Sequence, residues 1–350
     1  MRLKKHGLLM RGGMTLGLLV LLMVGVFLAG CTQETEEVVA DRTYTMLTPP
    51  DPNSIPLLLL ELYQEEMLEE GVRIEVKVAP AGDPAAMSAM ISAKEADFAL
   101  FNALGGARQF QNGAEDLRML GVHIWKGVYL LAREGSDSWA DFDGVQGLAV
   151  PGVGTTPHIM AQKALVKYGA EPQFAGMGPG LALWTALGSE DNEIEIIAAA
   201  EPAVTMLLMR QQSEDWPVKY RVYSDLAREL SPDTGEVPLG ALFLIDRGLA
   251  QDEVGAGDIE VIVKGFEEAI GFMNDPANID RIKADLPGQW QRIFSQELPP
   301  QMFVNLIQSG RIGAEFRQAG EIKESAMKFW LEEFNFELSD QTFFFEAGKQ

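Results

Sequence analysis

The feature that most constrains the fold is an alternation of strand and helix patterns that begins at Arg42. Residues 72–78 alternate apolar and charged side chains, which predicts a half-buried strand. Helix patterns with polar caps or first-turn prolines follow several such strands. The pattern restarts near Gly147, and from Gly257 onward it is mostly helical. Strands that alternate with helices predict an α/β fold with sheets of largely parallel strands.

Two α/β units joined by two crossings of the chain predict a two-lobed protein. We expect the crossings near residues 127–134 and 238–246. Lobe 1 would then be discontinuous, with residues 42–126 and 246–350, and lobe 2 would be residues 127–245. One large sheet with helices around it is the alternative. Ligands of such sheets bind beyond the carboxyl ends of the strands, and interfaces between lobes are favoured sites.

The first 30 residues have the anatomy of a secretory signal peptide. A basic start precedes an apolar segment, residues 14–30, which is short for a membrane-spanning helix. Cys31 is the only cysteine and ends a Leu-Ala-Gly-Cys run that resembles a bacterial lipobox. We predict that residues 1–30 are removed, that Cys31 is lipidated and that the polar residues 31–41 form a flexible tether. An uncleaved anchor with a chance cysteine is the alternative.

Charge and residue usage exclude several classes of partner and site. The chain has 28 Lys and Arg against 51 Asp and Glu, a net charge of −23, so its surface repels nucleic acid and anionic lipid. With Cys31 lipidated, no thiol is left for a disulfide, a cysteine nucleophile or a zinc–cysteine site. His123 and His158 are too far apart in sequence to suggest a metal site by themselves. We expect no metal, no cofactor and no nucleic-acid partner.

The sequence contains no Gly-x-Ser-x-Gly elbow, no phosphate-binding Gly-x-x-x-x-Gly-Lys loop and no His-Glu-x-x-His motif. Asp51 and Glu201 would form a carboxylate pair for acid–base catalysis only if the fold brought them together. Three aromatic residues could line a cleft, although core packing is the more common role of such side chains: Phe101, Trp125 and Trp184. We therefore expect that the protein is not an enzyme.

Polar loops follow several predicted strands, where the cleft of an α/β protein would lie. Residues 152–156 lead into a helix that Pro157 starts, and either Thr155 or Thr156 is predicted to cap it. Backbone N–H groups at that helix start suit an anionic or polar ligand group, and an ordinary capped connection is the alternative. The other loops of this kind are residues 48–54, 81–83, 102–103 and 200–202, and none of the five contains lysine or arginine.

The order of these segments resembles that of a known family, the solute-binding proteins of ABC importers. The resemblance is carried by Ala96-Asp97-Phe98-Ala99 and the glycine-rich helix after it, Gly121, Val128-Tyr129-Leu130-Leu131, the stretch 141–151, Gly154-Thr155 and Glu201-Pro202-Ala203-Val204. It covers roughly residues 43–245. The most similar branch is the nitrate/sulfonate/taurine and thiamine-pyrimidine-precursor binding family.

The resemblance implies a type II periplasmic-binding-protein fold with a hinge and a ligand cleft between its lobes. Together with the lipobox-like run at Cys31, it implies a lipid-anchored protein of the cell envelope, on the outer face of the cytoplasmic membrane or in the periplasm, that delivers a small organic solute to permease subunits. The loops lack bases, which speaks against nitrate or a simple sulfonate and leaves neutral, zwitterionic or cationic solutes. The implied ligand-binding residues are Pro50, Asp51, Asn53, Asn102, Gly154, Thr155, Thr156 and Glu201.

Two other functions remain alternatives at this point. One is an enzyme on the same fold, with pyrimidine-precursor or dehydratase-like chemistry. The other is a ligand-sensing receptor that does not transport its ligand.

Overall fold

The computed structural model describes residues 41–79, 84–178 and 180–346. Cys31, the predicted signal peptide and all of the predicted tether except Asp41 lie outside these residues, and so does the candidate loop 81–83. The strands are β1 (Arg42–Thr48), β2 (Val72–Val78), β3 (Phe98–Asn102), β4 (Leu117–Lys126), β5 (Val128–Arg133), β6 (Gln146–Val150), β7 (Gln173–Gly176), β8 (Ile196–Ala200), β9 (Tyr220–Asp225), β10 (Gly240–Ile245) and β11 (Gly313–Gln318).

Helices follow most of the strands and cover the sheets. They are α1 (Ile55–Leu62), α2 (Gln64–Met67), α3 (Pro84–Ser92), α4 (Ala103–Gln111), α5 (Thr156–Lys167), α6 (Leu181–Leu187), α7 (Ala203–Ser213), α8 (Leu226–Leu230), α9 (Glu253–Asn274), α10 (Ile279–Phe294), α11 (Pro300–Gln308) and α12 (Ala319–Phe334). Single 3-10 turns lie at Pro52–Ser54, Trp139–Phe142, Leu249–Gln251, Pro276–Asn278 and Gln341–Phe343. No helix in the described part of the chain is both long enough and apolar enough to span a membrane.

The strands form two separate sheets, so the α/β, two-lobed prediction is confirmed. The first sheet has the order β11-β4-β10-β3-β1-β2 and the second β7-β6-β8-β5-β9. Both are mixed: β1 is parallel to β2 and β3, whereas β10 is antiparallel to β3 and β4. The strands β5 and β10 are antiparallel to their neighbours, since each follows a crossing and not a helical return within its own sheet. The edge strand β11 is also antiparallel to β4.

The chain crosses between the sheets at two places. The first crossing is the single residue Gly127, whose φ of +142° suits glycine, between β4 and β5. The second lies between α8 and β10. The predicted lobe 2 ends at residue 245, whereas β10 hydrogen-bonds between β3 and β4 of the first sheet. The predicted lobe boundaries themselves stay a prediction.

The core lies on both faces of each sheet. In β3, Phe98 and Leu100 pack on one face and Ala99 and Phe101 on the other, as alternation along a strand requires. The three aromatic residues considered for the cleft are buried members of core clusters, namely Phe101, Trp125 and Trp184. Core packing is therefore their role in the structure.

Five elements were absent from the sequence-based prediction, namely β7, β11, α6, α8 and α10. The helix α10 contains Pro287 within its span. The strand β11 pairs antiparallel with β4 at the edge of the first sheet. The strand β11 is short and only its alternate residues Ala314 and Phe316 are buried, so its pattern is easily read as part of a helical region.

Candidate functional site

Asn102 joins the two sheets at the carboxyl end of β3. Its Oδ1 accepts the N–H of Gly105 at 2.8 Å, which caps α4. Its Nδ2 donates to the Thr156 hydroxyl at 3.3 Å and to the Leu239 carbonyl at 3.2 Å. Thr156 is the first residue of α5, which follows a strand of the second sheet. The side-chain amide of Asn102 therefore hydrogen-bonds to the start of α4, to the segment in which the chain returns to the first sheet, and to the first residue of α5 in the other lobe.

Asn53 lies beside this junction. Gly240 is paired with Asn102 across β10 and β3. A Cβ built on Gly240 would lie 2.0 Å from Asn53 Oδ1, so the Asn53 side chain lies directly on that glycine. The Asn53 carbonyl is 3.1 Å from His123 Nε2 on β4. Asn53, Asn102 and Thr156 are thus neighbours, and their amides and hydroxyl can donate and accept hydrogen bonds.

Asp51 adds a carboxylate to this group of residues. Its Oδ1 accepts the N–H of Asn53 at 2.8 Å, and its side chain is half-buried. Burial raises the pKa of Asp51 to about 7, against the opposing effect of hydrogen bonds from Asn53 and Ser54. No Lys, Arg or His of the described chain forms an ion pair with it. The Ser54 hydroxyl donates to the Asp51 carbonyl, and no side chain caps α1.

His123 supports the site from the core. Its ring is fully buried and lies edge-on to Phe266, with the centroids 5.1 Å apart. Burial lowers the pKa of His123 to about 3, so the imidazole is neutral near pH 7. The carbonyl of Asn53 can only accept, so Nε2 carries the proton and donates it. This bond fixes the backbone of the loop that carries Asp51.

Asp51 and His123 have opposite effects on the pH dependence of stability. Between about pH 4 and 7 folded Asp51 keeps a proton that the unfolded chain releases, so its contribution to stability falls as pH rises. Between about pH 3 and 6.5 the unfolded chain binds a proton that folded His123 does not, so the contribution of His123 to stability rises as pH rises.

The substitution Asp51→Asn tests the effect of the carboxylate. The difference in melting temperature between this variant and the unchanged protein should favour the variant more at pH 8 than at pH 5. Equal differences at the two pH values would contradict the burial of this carboxylate.

The loop before α5 differs from its prediction. Thr155 occupies the capping position, but no side chain caps the helix. The Thr155 hydroxyl instead donates to the Gly152 carbonyl at 2.6 Å, and the Gly154 N–H donates to His158 Nδ1 at 3.0 Å. Gly154 has a φ of +84°, which closes the turn. The hydroxyl of Thr156 is directed to the other lobe, and so neither threonine caps the helix.

Glu201 belongs to a second cluster that also connects the two sheets. Its carboxylate is buried and accepts the N–H of Thr205 at 2.9 Å, the Thr205 hydroxyl at 3.1 Å and Arg311 Nε at 2.5 Å. Arg311 also donates to Thr205, and its carbonyl accepts the Tyr129 hydroxyl at 2.6 Å. Glu201 follows β8 of the second sheet, and Arg311 precedes β11 of the first.

Sequence reasoning missed Arg311 because it searched for bases only within the loops after strands. The alternation of apolar and charged side chains at 314–317 was the available signal, since it predicts a strand there and places Arg311 in the loop before it. With this arginine bonded to Glu201, the cluster has a cation of its own. A direct hydrogen bond between Asp51 and Glu201 is absent from the described contacts, so the structure gives no support to the carboxylate-pair hypothesis.

The candidate residues therefore divide into three groups. Asp51, Asn53, Asn102 and Thr156 are linked neighbours, and Pro50 lies in the half-buried turn before them. Gly154 and Thr155 shape the loop before α5, and Glu201 pairs with Arg311. Within the residues that the structure describes, no group of His, Cys, Asp and Glu could hold a metal ion.

Two mixed sheets, joined by two crossings and in contact at their strand ends, define the two-lobed periplasmic-binding-protein fold. The periplasmic aliphatic sulphonate-binding protein SsuA of Escherichia coli has this fold: its TM-score is 0.63 at 16% identity, over 89% of this chain and 96% of that one. An ABC transporter structure from Parabacteroides distasonis gives 0.61 at 17% identity, over 89% and 100% of the two chains.

A third structure is the alkanesulfonate-binding protein SsuA of Xanthomonas axonopodis pv. citri bound to MOPS. It matches with a TM-score of 0.54 at 15% identity, over 87% of this chain and 96% of that one. No protein-family model and no curated protein matches the chain. At these identities the similarity establishes the fold, and the function has to be argued from the residues of the site.

Proposed function

We propose that the protein is the extracytoplasmic solute-binding component of an ABC importer and captures a small organic solute between its two lobes. The observation that carries the proposal is the bond from Asn102 to Thr156, which joins the strand ends of both sheets within one polar group of residues. Ligands of α/β proteins bind at such strand ends and between lobes. The three similar structures are described as an ABC transporter and two sulfonate-binding proteins, which supports the same role.

The proposal includes an anchor and a partner. Cys31 would carry a lipid, and residues 31–41 would tether the body to the outer face of the cytoplasmic membrane or within the periplasm. A tether of this kind raises the effective concentration of the body near permease subunits in the same membrane. The protein would bind and release its solute without chemical change.

A charge-matched solute panel tests the binding function. Propyl, butyl, benzyl and pyridylmethyl skeletons are each supplied as the amine, the alcohol and the sulfonate, and the melting temperature of the protein is measured with each. A ligand that binds only the folded state at a hundred times its Kd stabilises it by about 2.7 kcal/mol. We expect a clear rise with at least one member. No rise with any member at millimolar concentration would contradict the proposed function.

Thr156→Val separates a role in binding from a role in folding. The variant keeps the β-branched shape and removes the hydroxyl that Asn102 contacts, while Asn102 keeps its bond to Leu239. We expect the best panel solute to bind about tenfold more weakly, which corresponds to about 1.4 kcal/mol, with a stability change below about 1 kcal/mol. Isothermal titration and thermal unfolding measure the two effects.

The neighbouring variant Thr155→Val is the matched control, because the Thr155 hydroxyl bonds within its own loop. It should weaken solute binding less than Thr156→Val does. If Thr156→Val leaves the affinity unchanged, Thr156 is not part of the binding site.

A further inference from the structure

Asp51 is a carboxylate with which no Lys, Arg or His in residues 41–79, 84–178 and 180–346 forms an ion pair. It is half-buried beside Asn53, and its described hydrogen bonds come from uncharged groups, the N–H of Asn53 among them. The two fully buried carboxylates among the described residues are each paired with an arginine: Glu201 with Arg311 at 2.5 Å, and Asp258 with Arg42 at 2.5 Å. Removing an ionised carboxylate from water without a partner is costly, so proteins usually pair it.

The side chains near Asp51 cannot supply the positive charge that would pair with its carboxylate. The side chains of Asn53, Asn102 and Thr156 are uncharged, and the His123 ring, which bonds the Asn53 carbonyl, is neutral because burial lowers its pKa to about 3. Arg311, the base that the fold brings to the second cluster, is already bonded to Glu201 and Thr205. A positively charged group at Asp51 would therefore have to arrive with the ligand.

The charge of the whole protein favours such a ligand. A net charge of −23 attracts small cations and repels small anions as they approach. A carboxylate also binds an ammonium or amidinium group through charge-assisted hydrogen bonds, which are stronger than those between neutral groups. Asp51, held by the N–H of Asn53, can receive such a group without first rearranging its loop.

On the basis of the proposed function, we propose that the solute carries a positively charged amino or amidino group and that Asp51 is the carboxylate that binds it. The uncharged side chains of Asn53, Asn102 and Thr156 then bind the polar remainder of the solute. Organic amines and amidines are a class of solute different from the sulfonates after which two of the similar proteins are named.

The same charge-matched panel, read by isothermal titration, tests the assignment. Within each carbon skeleton the amine should bind at least tenfold more tightly than the alcohol, and the sulfonate should bind most weakly. Asp51→Asn should remove this preference by weakening the amine at least tenfold and leaving the alcohol nearly unchanged. Asp191→Asn is the matched control, because it removes the same unit of charge from an exposed position and should keep the preference.

The possible results separate the two proposals. Tighter binding of an alcohol or a sulfonate than of the matching amine, or a preference that survives Asp51→Asn, overturns the amine assignment and leaves the solute-binding function standing. No binding in any charge class overturns both. A folded Asp51→Asn variant is expected, because an asparagine Oδ1 can still accept the N–H of Asn53.

Discussion

Replacing Arg311 with alanine is expected to lower the free energy of unfolding by about 3–5 kcal/mol, because it leaves a buried carboxylate without its cation. Glu201 is 3% exposed and keeps only its two bonds from Thr205 in the variant. The melting temperature should fall by roughly 10 °C for a chain of this size. Thermal and urea unfolding measure the loss. It is the largest stability effect expected of any single ion pair described above.

Two further variants show whether the effect comes from the buried charge. Lys328→Ala breaks an exposed pair with Glu332 on α12, and it should cost less than about 0.5 kcal/mol. Glu201→Gln combined with Arg311→Ala should recover much of the loss, since an amide needs no cation and still accepts from Thr205. A cost of Arg311→Ala no greater than that of Lys328→Ala would contradict the interpretation of this pair as a connection between the lobes.

Gly240→Ala is expected to impair solute binding more strongly than any other single methyl addition at the site. The new Cβ would lie 2.0 Å from Asn53 Oδ1 and 3.0 Å from a side-chain carbon of Ile124. Asn53 must therefore leave its position beside Asn102. We expect a loss of at least tenfold in affinity for the best panel solute and of about 1–3 kcal/mol in stability, as found when extra volume enters a packed region.

Gly257→Ala is the matched control for this substitution. Gly257 lies in α9, and a Cβ there meets nothing within 4 Å. Alanine in a helix interior is favoured over glycine by up to about 1 kcal/mol, so this variant should be slightly more stable and bind normally. If Gly240→Ala behaved in the same way, Asn53 would have no part in binding.

Local sequence patterns predicted where strands and helices form better than they predicted which strands pair with one another. The apolar run 240–245 forms the strand β10, and the region after Gly257, which was predicted to be mostly helical, contains the helix α11. All six residues of the strand are buried, and a continuous apolar run predicts burial on both faces without saying in which sheet. Its assignment to the first sheet depends on hydrogen bonds to β3 and β4, which lie more than 100 residues earlier in the chain.

The candidate site shows the same limit. Loops at strand ends predicted Asp51, Asn53, Asn102 and Thr156 as ligand-binding residues. The structure shows the bonds between Asn53 and Asp51 and between Asn102 and Thr156, and the role of these residues in binding stays a prediction. The sequence could not predict that Asn102 bonds Thr156, or that Glu201 bonds a base 110 residues further on. Such pairings are set by how the sheets pack, whereas periodicity reports only on a segment's own burial. The two threonines show a finer limit, because capping depends on a rotamer that the composition of the loop leaves open.

A crystal structure of the protein with its tightest panel solute would show where the solute binds. We predict one solute molecule between the two sheets, with polar atoms within about 3.5 Å of Asp51 and of Asn102 or Thr156. A solute bound only within one lobe, or in the outer groove of about 650 Å³ lined by Lys163, Lys167 and Glu333, would contradict it.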